Sequence, residues 1–116
     1  MKSLDQFAES VASELAIDAV GMWQVVPYAQ KDFGSDEKLV EQAIRYCLVH
    51  MFGVGALPVV AAHDGLHRWA VKTGYGETHE QMADAIVSEW KASGAILPRP
   101  YDSLWFALPA IYRERN

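Results

Sequence analysis

The chain holds one cysteine, Cys47, in 116 residues. A lone thiol makes an internal disulfide framework impossible and excludes a zinc site built on cysteines. No stretch approaches the roughly 18 consecutive apolar residues of a membrane span. Met1-Lys2-Ser3-Leu4-Asp5 turns acidic at once, without the apolar run of a secretory signal. The expected compartment is therefore the cytoplasm. A basic patch or stripe, the usual footprint of nucleic-acid binders, is missing as well. So are a G-x-S-x-G elbow, a phosphate-binding glycine loop and a dinucleotide fingerprint. Gly53-x-Gly55 and Gly74-x-Gly76 are short and isolated, and read as helix stops. These absences leave no motif that names a reaction.

What is present is an ordinary globular composition with an uneven charge. Hydrophobic residues make up 51% and charged residues 22%, which excludes intrinsic disorder. The length suits one domain with a modest core that needs no staple. The net charge is −5. All of it lies in residues 1–37, where Asp5, Glu9, Glu14, Asp18, Asp32, Asp36 and Glu37 face only Lys2 and Lys31. The remaining chain balances its acids and bases. An acidic region of this kind favours a basic partner or serves solubility.

Periodicity predicts a mainly α fold, a compact single-domain bundle of about five helices, with room for one short β-hairpin at 57–72 or 95–108. Ser3 caps a first helix running to about Ala16. Leu4, Phe7, Ala8, Val11 and Leu15 form its apolar stripe, and Asp5, Gln6, Glu9 and Ser13 its polar face. Residues 17–35 fit a short helix or a strand, because Gly21 and Pro27 interrupt the pattern. Over 36–52, Val40, Ala43, Ile44, Cys47, Leu48 and Met51 make the broadest stripe and mark the central helix. Glu41 and Arg45 have the spacing of an i, i+4 ion pair on its outside. Thr78 and Gln81 have capping-box spacing ahead of a further helix with the arc Met82, Ala83, Ile86, Val87 and Trp90.

Two segments admit two readings each. Over 57–74, Asp64-Gly65 is a hairpin turn signal. The same stretch reads as a helix, with Pro58 at its first position, Lys72 in its last turn and Gly74 as its stop. The helix is preferred because start, stop and period agree. In the tail, Leu104, Trp105, Leu108, Ile111 and Tyr112 cluster as on a short helix that Pro109 must kink or restart. Alternatively Ala95–Leu97 and Leu104–Leu108 pair as a hairpin behind a helix. That layout resembles the wing of winged-helix domains and would make the chain a regulator of that type.

Three constellations bear on function. On a helix, His63-Asp64-Gly65-Leu66-His67 places two imidazoles on one face. It resembles the H-E-x-x-H pair of zinc metalloproteases, with His63 and His67 at the ligand positions and Asp64 where the general-base glutamate belongs. A small zinc-dependent hydrolase would also need a third ligand, from His79 or Glu80. Without it no cofactor is called for. The tail crowds Tyr101, Trp105, Phe106 and Tyr112 beside Arg99, Arg113 and Arg115. These residue types anchor interfaces, including homodimers, and cover cores equally well. The third is the acidic helix. Together they favour a non-catalytic protein-binding domain over an enzyme. Asp5, Glu9 and Glu14 would engage a basic partner surface, with Trp105, Tyr112 and Arg113 as anchors. In size and charge the chain is similar to small acidic inhibitors from phages and mobile elements that target nucleic-acid-handling machinery. Neither a membrane nor direct nucleic-acid contact is expected.

Overall fold

The computed structural model describes residues 3–34, 36–95, 98 and 104–113. Ser3 opens α1 (Leu4–Ala12) with a reciprocal cap: its hydroxyl accepts from the Gln6 N–H and the Gln6 side chain accepts from the Ser3 N–H. The helix tightens into a 3-10 turn over Ser13–Ala16. A two-residue strand, β1 (Val20–Gly21), leads directly into α2 (Met22–Phe33). Asp36 caps α3 (Glu37–Gly53) by accepting from the Lys38 and Leu39 N–H groups. Then come β2 (Leu57–Ala61), β3 (Trp69–Val71), α4 (His79–Ala92), β4 (Trp105–Ala107) and α5 (Pro109–Tyr112). The described residues are mainly helical, with five α-helices and a four-stranded antiparallel sheet ordered β1-β4-β2-β3.

The core is built around α3. Helices α1, α2 and α4 all pack on it. Its predicted stripe is buried throughout, from Val40 to Met51. The α1 stripe is buried at Phe7, Ala8, Val11 and Leu15, and the α4 arc at Ala83, Ile86 and Val87. Full burial of such side chains stabilises the fold by roughly 1.5–3 kcal/mol each. The sheet closes the remaining side. Successive strand residues face opposite ways. Val20 and Phe106 therefore join the helical core, while Val59, Trp69 and Ala107 form a second cluster on the outer face. Ile111 and Tyr112 of α5 cover that cluster.

Residues 57–74 correct the preferred helix. They form the β2–β3 hairpin, with Val59 opposite Val71 and Ala61 opposite Trp69. The β-branched Val59 finds a partner far along the chain, since Leu57–Val59 also pair with Trp105–Ala107. That pairing outweighs a local helical signal whose interior Gly65 already weakens it by about 1 kcal/mol. Nor is Asp64-Gly65 a two-residue turn. The strands are bridged by a loop over 62–68, in which Gly65 takes a φ of 74°. Pro58 is tolerated in this inner strand because its carbonyl pairs with the Lys72 N–H, just past the end of β3, so the donor it lacks falls where that ladder stops.

The tail is corrected too. Trp105–Ala107 are a strand, not the start of a helix, and Pro109 begins the short α5 at its first position. The wing-like hairpin does not form at β4, whose two edges are taken by β1 and β2. Ile96 and Leu97, of its other proposed strand, lie outside the described residues. The ambiguous segment 17–35 holds both a strand and a helix. Gly21 fits there because a Cβ would come within 2.4 Å of the Trp23 ring. Its N–H donates to Gln24 Oε1 at 2.8 Å and so caps α2.

Candidate functional site

The acidic first third folds as α1, the 3-10 turn, β1 and α2, and it carries a groove of about 430 Å³. Phe7, Ser10, Val11, Ser13 and Glu14 line one wall, at the three-to-four spacing that gives one helical face. Tyr28, Lys31 and Asp32 line the other, from the last two turns of α2. The groove is mixed in chemistry. Phe7 and Val11 line it from the core and are themselves buried. The Ser13 hydroxyl donates to the Ser10 carbonyl at 2.7 Å, which leaves its oxygen lone pairs as acceptors. Glu14 is half-buried, and its Oε2 is shielded from water without a hydrogen-bond partner. A shielded, unpaired carboxylate oxygen is costly, because the charge has lost hydration without gaining a partner.

Asp5 and Glu9 are not on this face. The Tyr46 hydroxyl, on α3, donates to Asp5 Oδ1. Asp5 first, and Glu9 to a lesser degree, push the Tyr46 hydroxyl above its ordinary value. Glu9 itself is exposed. The three acids singled out in the N-terminal helix thus divide between two stripes: Asp5 and Glu9 beside Tyr46, and Glu14 in the groove. Glu14 also lies close enough to Cys47 to act on it electrostatically. Burial is the larger effect there, and together they push the thiol up to about 12. Cys47 is a fully buried core residue.

Elsewhere the charges close on one another. Glu41 and Arg45 do not form the i, i+4 pair that their spacing suggests. Arg45 Nε binds Asp84 Oδ1 at 2.5 Å, and Lys91 Nζ binds Glu41 Oε1 at 3.2 Å, so both residues reach across to α4. The Arg45 guanidinium holds the Asp84 carboxyl below its usual range. Arg68 lies 3.6 Å from Asp18.

His63 and His67 sit in the 62–68 loop rather than on a helix, so the i, i+4 face that would make them a metal-gripping pair is not formed. Asp64 organises this loop instead. Its Oδ1 accepts from the Leu66 and His67 N–H groups, and its Oδ2 bonds His67 Nδ1 at 2.8 Å. These bonds hold the Asp64 carboxyl well below the ordinary range. Among the described residues, no three His, Cys, Asp or Glu side chains come together as a metal site. No described helix is long and apolar enough to cross a membrane.

The aromatic tail divides as well. Phe106 is fully buried in the helical core. Trp105 stands on the outer sheet face between Trp69, at 5.1 Å, and Trp23, at 6.0 Å between ring centroids. Tyr112 packs on the same cluster, and Arg113 lies over its ring at 5.6 Å. Tyr101, Arg99 and Arg115 lie outside the described residues. The groove residues Ser10, Tyr28, Lys31 and Asp32 were not among the sequence candidates. The helical spacing of Met22, Val25, Val26, Ala29 and Phe33 is the signal that would have placed the second wall. Compared with family models, with curated proteins and with solved structures, the chain matches none.

Proposed function

We propose that this chain is a non-catalytic protein-binding domain whose acidic first third receives a basic surface of a partner. The observation that carries this reading is where the bases go. Arg45 and Lys91, two bases of the balanced part of the chain, are engaged by Asp84 and Glu41 along the α3–α4 seam. They are therefore not turned toward the acidic third; Arg68 reaches Asp18 there at 3.6 Å, and the exposed Glu9 and Glu37 remain to meet an external cation. Complementary charge of this kind speeds encounter and selects the partner more than it sets raw affinity. A concrete form is an inhibitor that covers the basic surface of nucleic-acid-handling machinery, of the phage or mobile-element kind.

The test is capture from a host lysate by the unaltered chain and by a Glu9→Lys/Glu37→Lys double variant. Both positions are exposed, so the fold should survive reversal. Capture should fall at least about tenfold in the variant and weaken with added salt. Equal capture by both proteins, insensitive to salt, would overturn the reading.

A further inference from the structure

The geometry points to a specific occupant for the groove between α1 and α2: we infer that it takes the side chain of an arginine carried on a basic segment of a protein partner. The inference rests on the protein-binding reading above and narrows it to one site. Three features select the ligand. Glu14 offers a carboxylate with one oxygen cut off from water and unpaired. Attraction between opposite charges rises as the local dielectric falls, so a cation meets a stronger field here than at an exposed acid. Tyr28 is 37% exposed at the opposite wall, where a planar guanidinium can stack on it. The Ser10 and Ser13 hydroxyls add acceptors, which suits the five fixed N–H donors of arginine better than the compact ammonium of lysine.

Lys31 is the built-in competitor. It lines the same groove, yet no ion pair joins it to Glu14. The intramolecular ammonium therefore leaves Glu14 open while opposing an incoming cation, and its removal should favour the ligand.

The experiment is an NMR titration of the full chain at low salt with a glycine–serine peptide carrying one arginine. A matched peptide with citrulline, the neutral isostere, is the control. The arginine peptide should shift the amide signals of Ser10, Ser13, Glu14 and Tyr28, and the citrulline peptide should not. Glu14→Gln should weaken binding about tenfold, the loss of one charge-assisted contact. Lys31→Met should tighten it by about twofold, and Glu9→Gln should leave it within about twofold, because exposed charges outside the groove are screened. Should Glu14→Gln disturb the fold, Ser10→Phe, which plugs the groove from an exposed position, should abolish the same shifts. Shifts that map to Glu9 and Glu37 and persist in Glu14→Gln would overturn the groove inference while leaving the broader acidic-surface reading standing. Lysate capture unchanged by the Glu9→Lys/Glu37→Lys reversal and insensitive to salt, beside arginine-peptide shifts that are lost in Glu14→Gln, would do the opposite. Equal binding of the citrulline peptide, or no binding of the arginine peptide, would sink the guanidinium assignment.

Discussion

Helix α3 has two differently furnished sides. Toward α4 its charged residues are matched across the seam, Arg45 with Asp84 and Glu41 with Lys91. Toward α1 and α2 it meets acids that the fold does not neutralise in the same way. Asp5 takes a tyrosine hydroxyl from Tyr46, and Glu14 keeps a shielded oxygen with no partner. The apolar packing is equally tight on both sides, since Ala43, Ile44, Cys47 and Leu48 are all fully buried. The difference therefore lies in the charges alone. Carboxylates on the α4 side help register two helices. On the α1–α2 side Asp5 accepts from the Tyr46 hydroxyl, while Glu14 keeps an oxygen without a hydrogen-bond partner.

The largest effect concerns Cys47, which α3 buries toward the acidic side. With the thiol pushed up to about 12 from 9.0, its thiolate population at pH 8 is about a thousandfold below that of a free cysteine. Reaction with a thiol reagent should be correspondingly slow in the native protein and should become fast on unfolding. Rapid reaction in native buffer would mean that the α1 side opens far more readily than its packing implies. The sign for stability follows. A raised native value leaves stability intact below the ordinary thiol range and removes it as pH climbs above about 9.

Truncating the shared spine comes next. Ile44→Ala should cost about 2–5 kcal/mol in chemical denaturation, because it opens a cavity that the helices around it cannot close. A loss below about 1 kcal/mol would show that the packing around α3 relaxes. Gly21→Ala probes the sheet side of α2. The added methyl meets the Trp23 ring, and the strain should cost about 1–3 kcal/mol. The smallest effect belongs to the matched seam. Asp84→Asn should lower the melting temperature slightly at pH 7, because both partners are substantially exposed, at 40% and 59%. Arg45 depresses the Asp84 value, so this difference should be present above the ordinary carboxylate range. It should vanish as pH falls below 3.8 and through the depressed value.

Much of this architecture was legible because it is local. Ser3 with its apolar stripe, the broad stripe of α3, and Thr78 with Gln81 each mark a helix within a few residues of sequence. The Thr78 hydroxyl does accept from the Gln81 N–H, at 3.1 Å. The strands were harder, because two to five residues are too few for alternation to show and their partners lie far off in sequence. Leu57–Val59 become a strand through pairing with Trp105–Ala107. Helix α2 was hidden by Gly21 and Pro27, which punctuate a pattern that tertiary packing still folds as a helix. That gap concealed the site. Glu14 could be named from its charge, but a groove needs two walls, and the second could not be placed. The Glu41–Arg45 spacing misled for a related reason: each residue found a closer partner on α4 than on its own helix.

The sharpest test sets the two sides against each other with matched neutral substitutions. Thermal unfolding of Glu14→Gln and Asp84→Asn should give shifts of opposite sign at pH 7. Glu14→Gln should raise the midpoint, because an amide costs less to shield than an unpaired carboxylate; the gain should be roughly 0.5–1 kcal/mol. Asp84→Asn should lower it. A Glu14→Gln variant that melts earlier than the unaltered chain would show that Glu14 serves the fold, and would contradict the account.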